Sequence, residues 1–338
     1  MTGDEDLARP RRVLITGATG ALGGAAVRAF VAAGWGIRTM SRRTPAAGTA
    51  AAQHDHLAGE IDDPNVLRHA MDGVDVVVHM AALLHVLQPA RFLEAEYRRV
   101  NVGGTEAVMK IATERGVKRL ILLSSIAIYG PGNGLLDESS PPSPDTPYGR
   151  TKLEAERVLL AGDRGRAPAA CALRLAAVYG PSIKGNYERL VRALARRRFL
   201  AIGSGGNART LVFEDDAARA MVLAATSRKA EGKIFNVTDG GVHTVAEIVA
   251  AIARALDRQP PRIAVPFAFA RFTVNTVETL FRAVGRRPPV TQATLDKYVE
   301  NITVSGERIR RELGFVPEWN LADGWRETVR RLRQEGRV

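Results

Sequence analysis

A single cysteine, Cys171, occurs in the 338 residues, so no internal disulfide can form and a reducing, cytoplasmic setting is expected. Long apolar runs are missing too. The longest uncharged stretch, 120–136, is broken by Gly130-Pro131-Gly132, so no membrane span is predicted. Residues 1–10 are acidic and then basic, without an apolar centre, and do not read as a secretory signal. Acid is scarcer than base, 36 Asp and Glu against 48 Lys and Arg, giving a formal charge of +12. That balance raises the question of nucleic acid as a partner. The basic residues are mostly Arg, however, and lie scattered in predicted helices: Arg196-Arg197-Arg198, Arg286-Arg287, Arg310-Arg311 and Arg330-Arg331. No basic stripe is interleaved with aromatics, so they are read as solvated helix faces and no nucleic-acid partner is expected. Neither His54 and His56 nor His79 and His85 are joined by Cys or carboxylate at ligand spacing, and no metal site is predicted.

What is present is the composition of an ordinary soluble globular protein, 46% hydrophobic and 25% charged, long enough for one large domain with a lobe attached. Residues 12–16 form a short apolar run, as a buried parallel strand requires. They lead directly into Gly17-Ala18-Thr19-Gly20-Ala21-Leu22-Gly23, and 21–33 then reads as a helix ending near Gly34. Glycines at a strand–helix junction let the backbone approach a pyrophosphate, and the helix start offers unpaired N–H groups. The spacing is Gly-x-x-Gly-x-x-Gly, not the commoner Gly-x-Gly-x-x-Gly.

A second strand, 36–40, ends at Ser41-Arg42-Arg43, where an acidic residue would select NAD through the ribose hydroxyl. Arg42 stands there instead and favours NADP, with stacking of Arg42 on adenine and use of NAD as the other reading. Glu60 and Ile61 precede a helix at 64–71, and a strand at 75–80 ends in the small residues Ala81 and Ala82. Asn101 opens another helix, and the strand 119–125 ends in the hydroxyls of Ser124 and Ser125. Apolar strands alternating with amphipathic helices predict a doubly wound parallel α/β sheet, with ligands beyond the carboxyl ends of its strands. Tyr148 and Lys152 follow at a spacing that places both on one helix face. A cation beside a phenol favours the phenolate, so the Tyr148 pKa is expected to fall toward working pH, suiting proton transfer at an alcohol or ketone.

Gly17-x-x-Gly20-x-x-Gly23, His79-Met80-Ala81-Ala82, Asn101, Ser124 to Gly130, Tyr148-x-x-x-Lys152 and Arg174 to Pro181 occur in that order. Together they resemble the extended short-chain dehydrogenase/reductase family, its nucleotide-sugar epimerase and reductase branch, over nearly the whole chain. The resemblance implies a Rossmann domain at 10–181, with returning segments at about 211–257, and a smaller C-terminal α/β substrate lobe from 182–210 and 258–335. It implies that Tyr148 is the acid/base, that Lys152 lowers its pKa and holds the nicotinamide ribose, and that Ser125 bonds the reacting oxygen. The implied cofactor contacts are Gly17, Thr19, Gly20, Ala21, Leu22, Gly23, Arg42, Glu60, Ile61, Ala81, Ala82, Asn101, Tyr148 and Lys152. Asn186 and Arg209 are the implied contacts to a substrate diphosphate, with a salt bridge from Arg209 to Glu214 or Asp215 as the alternative. Family dehydratases carry a Thr-Asp-Glu-like triplet where this chain has Ser125-Ile126-Ala127, so water elimination is not expected. The family commonly forms homodimers, and has an Asp where Ser305 stands.

The expected activity is therefore NAD(P)-dependent 4-epimerisation of a nucleotide sugar, or reduction of its 4-ketone. A second reading is an apolar-alcohol dehydrogenase of steroid type, suggested by Phe267, Phe269, Phe272 and Phe281 in 263–284. That segment is expected to pack into the lobe, with a pocket wall or a membrane-surface helix as alternatives. A non-catalytic nicotinamide sensor is disfavoured, because such proteins lose the Tyr/Lys pair that this chain keeps.

Overall fold

The computed structural model describes residues 11–84, 90–132, 134–162, 167–183, 185–261, 263–283 and 300–338. The apolar runs become seven strands of one parallel sheet. In spatial order they are β12 (Lys233–Val237), β7 (Ala169–Leu175), β5 (Arg119–Ser125), β4 (Val76–His79), β1 (Arg12–Thr16), β2 (Gly36–Ser41) and β3 (Asp55–Ala58). Consecutive side chains alternate across the sheet. Val13, Ile15, Ile121 and Leu123 join one core with Phe30 of α1 (Gly23–Ala32) and Met221 of α7 (Glu214–Thr226). Leu14, Leu120 and Leu122 join the opposite core with helices α2 (Pro64–Ala70), α4 (Gly104–Glu114) and α5 (Pro147–Leu160). Both faces of the sheet are therefore covered, which is why its strands read as continuous apolar runs. Helix α3 (Ala90–Tyr97) precedes α4 through a widened π turn at Arg98–Gly103.

Short strands build the second lobe and fasten it to the sheet. β8 (Ala177–Tyr179) pairs with β11 (Leu211–Phe213), β9 (Ala201–Ile202) with β14 (Ala264–Val265), and β10 (Ala208–Arg209) with β13 (His243–Thr244). β15 (Thr303–Val304) pairs with β6 (Leu135–Leu136), returning the late chain to a loop of the large domain. A third core unites α6 (Asn186–Ala195), α8 (Val245–Ala255) and α11 (Leu321–Gln334) around Trp325. Helix α8 begins with a full capping box between Thr244 and Glu247. Its packing in this third core puts α8 with the lobe, whereas Ile309 of α10 (Glu307–Leu313) packs in a core of the central sheet.

The Phe-rich segment forms β14 and then α9 (Phe267–Ala283); residue 284 lies outside the described residues. Ala270 and Glu278 face inward, while Phe269 and Phe272 are 63% and 71% exposed, so the expected burial of these rings in the lobe does not occur. No helix among the described residues is long and apolar enough to cross a membrane.

Trp325 is fully buried, with its ring 4.6 Å from that of Tyr179 and 5.6 Å from that of Tyr187. Trp325→Ala should cost about 3–5 kcal/mol, the range for deleting a large core ring, read as a fall in the chemical denaturation midpoint.

Candidate active site

The glycine turn is shaped by what it leaves no room for. Gly17 has φ +72°, and a Cβ there would lie 2.7 Å from the Ala81 nitrogen. Its N–H donates to the Met40 carbonyl at 2.7 Å, and Gly20 N–H returns to the Gly17 carbonyl at 2.8 Å. A methyl group at Gly23 would sit 1.8 Å from the Ala18 carbonyl oxygen. Thr19, Gly20 and Ala21 are exposed on the turn, while Leu22 is half-buried against the core. Among the described residues, no side chain caps the start of α1 and no acid occupies its first turn. That end of the helix thus keeps a positive dipole and open N–H groups for an anion.

The turn, Ala81 and Ala82 meet at the carboxyl edge of β1 and β4, while Arg42 is exposed just beyond β2. Glu60 is exposed near the same edge, but Ile61 is 5% exposed and packs in the core, where a Cβ on Gly104 would touch its Cγ2 at 2.8 Å. Ile61 therefore has main chain to offer a cofactor. Asn101 makes its contacts with two other segments of the chain. Buried to 1% exposure, it accepts from Leu83 N–H at 2.7 Å. Its amide donates to the Leu83 carbonyl at 3.2 Å and to Thr151 Oγ1 at 3.0 Å. It thus clamps the segment after Ala82 to α5, and would serve a cofactor through the loop it holds.

Thr146 caps α5, accepting from Gly149 N–H at 3.1 Å, and Pro147 fits the first turn. Gly149 lets the helix approach the end of β5: a Cβ there would lie 2.5 Å from the Ala127 carbonyl oxygen. This close approach sets Tyr148 beside Ser125, whose side chain acts on the phenol. Lys152 lies one turn further along, 2% exposed.

The acidities differ from the expected ones. Burial pushes the Tyr148 phenol up to about 12; the Ser125 side chain opposes the rise and Tyr97 adds to it. Burial also pushes Lys152 down to about 8, against the charge of Glu156. Desolvation thus holds both groups toward their neutral forms, so the phenol is an acid and not the lowered phenol that the spacing suggested.

Two neighbours escaped the sequence reading. Tyr97 packs edge-on to Tyr148 with ring centroids 6.4 Å apart, and its hydroxyl donates to the Leu84 carbonyl at 2.7 Å. His79 is 1% exposed, its Nδ1 lies 2.9 Å from Thr16 Oγ1, and burial first and Lys152 second push it down to about 3. His79 belonged to a quoted motif, yet nothing in its spacing revealed the Lys152 contact.

Asn186 is exposed at the first position of α6, and Arg209 lies in β10 near the half-buried Tyr187, whose phenol it acts on. Glu214 and Asp215 instead engage other groups: Arg28 Nη2 lies 3.8 Å from Glu214 and 3.0 Å from Asp215. Glu214 also accepts from Ser182 N–H at 2.9 Å and Ser182 Oγ at 3.0 Å, holding the loop that leads into α6.

Nothing among the described residues gathers three or more His, Cys, Asp or Glu as a metal site. The chain does fit a nicotinamide dinucleotide, since a turn that excludes Cβ atoms and an uncapped helix start suit a pyrophosphate. A doubly wound sheet carrying such a turn and a Ser–Tyr–Lys set at the same edge defines a nicotinamide-dependent short-chain dehydrogenase/reductase of the extended type. Residues 13–238 match the NAD dependent epimerase/dehydratase family, and the chain belongs to that family of NAD-dependent enzymes. It is 29% identical to UDP-glucose 4-epimerase of Vibrio cholerae, over 98% of each chain. It is 28% identical to 4-hydroxy-2-methyl-3-oxo-4-farnesyl-3,4-dihydroquinoline-1-oxide ketoreductase of Stigmatella aurantiaca, over 90% of this chain and 92% of that one. Among solved structures, MoeE5 in complex with UDP-glucuronic acid and NAD superposes with a TM-score of 0.76 at 27% identity, covering 96% of this chain and 99% of that chain.

The turn and the loop each yield a test. Gly23→Ala should weaken nicotinamide-cofactor binding by about tenfold or more (~1.4 kcal/mol), measured by calorimetric titration. Gly24→Ala, whose methyl would meet only the flexible Arg28 side chain at 3.4 Å, should bind as the parent does. For Glu214, burial raises the carboxyl to about 7, so its stabilising share is full below the ordinary glutamate range and is lost as pH rises to about 7. Glu214→Gln should flatten the stability profile across that window, by up to roughly 3 kcal/mol, in denaturant titrations at stepped pH.

Proposed function

We propose that the enzyme acts at C4 of a nucleotide-diphosphate sugar, as a 4-epimerase or a 4-keto-sugar reductase. The observation that carries this reading is the close approach of α5 to the end of β5 at Gly149, which sets Tyr148 beside Ser125 with buried Lys152 one turn on, at the sheet edge that bears the glycine turn. Gly17, Thr19, Gly20, Ala21, Leu22 and Gly23 would receive the pyrophosphate, with Ala81, Ala82 and the main chain near Glu60 and Ile61 along the adenosine half. Arg42 suits a 2′-phosphate and favours NADP over NAD. The bound nicotinamide supplies the chemistry of taking or giving a hydride.

Ser125 donates a hydrogen bond to the reacting oxygen and orients it toward Tyr148. In the reductive direction Tyr148 gives its proton to that oxygen, a role suited to a phenol that burial keeps protonated. In the oxidative direction Tyr148 receives the proton, and the Lys152 ammonium compensates the phenolate left in between. Asn186 and Arg209 would face the diphosphate, for which a guanidinium and an amide are apt donors. The Vibrio cholerae epimerase and the MoeE5 complex support a nucleotide sugar as substrate. Ile126 and Ala127 offer no carboxyl for water elimination. The family's dimeric habit is carried over as part of the same proposal.

A second reading, an apolar alcohol or ketone as substrate, draws on the exposed Phe269 and Phe272 and on the likeness to a reductase of a farnesyl-bearing ketone.

Incubation with UDP- and TDP-hexoses should give C4 inversion, or oxidation at C4 coupled to added NADP or NAD, and incubation of 4-keto-hexose nucleotides with NADPH or NADH should give reduction, read by NMR of the products. Tyr148→Phe should lower turnover by roughly 10²–10⁴-fold. Absence of UDP and TDP binding at millimolar concentration, with turnover of an apolar ketone, would replace the first reading by the second.

A further inference from the structure

Behind Lys152 runs a chain of buried polar groups that the proton transfer itself does not use. Glu156, one turn along α5 from Lys152, is 2% exposed. It accepts from Arg174 of β7 through Nε to Oε1 at 3.0 Å, Nε to Oε2 at 3.2 Å and Nη2 to Oε2 at 2.7 Å. Arg174, 3% exposed, also donates from Nη1 to the Tyr129 hydroxyl at 2.8 Å, its guanidinium 5.0 Å from that ring's centroid. Tyr129 in turn donates to Asn236 Oδ1 of β12 at 2.9 Å. Asn236 Nδ2 donates to the Ser305 carbonyl at 3.2 Å, and its N–H donates to Glu138 Oε1 at 2.7 Å. The carboxylate beneath Lys152 is thus fixed from α5, β7 and β12 together.

So much buried ionic bonding is weak evidence for stability, because apolar residues of similar volume often serve a core as well or better. Its placement points elsewhere. Arg174 pairs in register with Ser124, beside Ser125, so the fixed carboxylate belongs to the same strand ends that carry the site. The charged and titratable groups that act on Lys152 or feel its charge are Glu156 from α5 and His79 from β4, with Tyr148 one turn before it on α5. His79 is neutral across the working range, and Arg174 acts on Lys152 through the carboxylate it holds. Glu156 is therefore the anion that favours the ammonium where burial disfavours it.

We propose that Glu156 is a positioning residue, clamped by Arg174 so that Lys152 stays charged and aimed along α5 at Tyr148 and the cofactor ribose. The proposal rests on Lys152 serving Tyr148 as described above. The alternative is a purely structural tie between α5 and β7.

The test is a carbon-13 NMR titration of Lys152 in lysine-labelled protein, assigned with Lys152→Met, beside the pH profile of NADP and NAD binding. The variants are Glu156→Gln, Glu156→Asp and Glu156→Gln with Arg174→Met. The double change removes the guanidinium that the single change strands, so the pair is absent without an unpaired buried charge. In the parent, Lys152 should titrate near 8. Glu156→Gln should move that midpoint down by about one pH unit, with the high-pH limb of cofactor binding moving alongside. Glu156→Asp should restore most of the shift, and the double variant should keep it while melting like the parent. An unmoved Lys152 midpoint in Glu156→Gln and in the double variant overturns the proposal. A lowered midpoint that cofactor binding does not follow supports the hold of Glu156 on Lys152 and counts instead against the acid–base reading of Lys152.

Discussion

An ammonium group held at 2% exposure is the constraint to which the rest of the site answers. A charge in that position is costly unless other groups compensate it. Glu156 lies one turn beyond Lys152, and Arg174 holds Glu156 at 2.7 Å from across β7. Tyr129, Asn236 and the Ser305 carbonyl extend the same network, so strands far apart in the chain brace one lysine. On the other side of Lys152, Asn101 ties α5 through Thr151 to the loop after β4. Gly149 brings α5 against the Ala127 carbonyl, which sets Tyr148 beside Ser125. Desolvation then weakens charge on both Tyr148 and Lys152, leaving a protonated phenol with a cation beside it that titrates close to working pH.

The second lobe meets this site through a few well-anchored contacts. Glu214, at the start of α7, holds Ser182 where the chain leaves the large domain for α6. β15 pairs with β6, and Arg209 bridges to Ile302, so late segments return to the sheet edge from the lobe. Trp325 gives the lobe a core of its own, between Tyr179 and Tyr187. Of the candidate diphosphate contacts, Asn186 sits on α6, which that core orders, and Arg209 on β10, which pairs with β13. The two lobes can therefore present a substrate to Tyr148 while each keeps its own packing.

Much of this was legible before any fold was known. The strand, glycine turn and helix of 12–33 are continuous in sequence, and each glycine has a local backbone reason. Tyr148 and Lys152 could be paired because four residues make one helical turn. Ser125 could be found as a hydroxyl at the end of an apolar run. Asn101 was singled out, but its task as an internal clamp depends on Leu83 and Thr151, distant in sequence. Tyr97 gave no signal, and the Glu156–Arg174 pair joins a helix to a strand across 18 residues with no spacing rule to announce it. The exposure of Phe269 and Phe272 was not legible either, because the face a Phe-rich helix buries is set by what it packs against.

The sequence by itself determined the doubly wound α/β sheet, the glycine turn and the three side chains proposed to react, because periodicity, glycine placement and helical spacing act over a few residues. The tertiary structure alone decided the direction of the Tyr148 and Lys152 acidities, the clamp on Glu156 and the role of Asn101. Those depend on desolvation and on partners from separate strands, and water is excluded from Lys152 only when β4, β7 and α5 have packed around it.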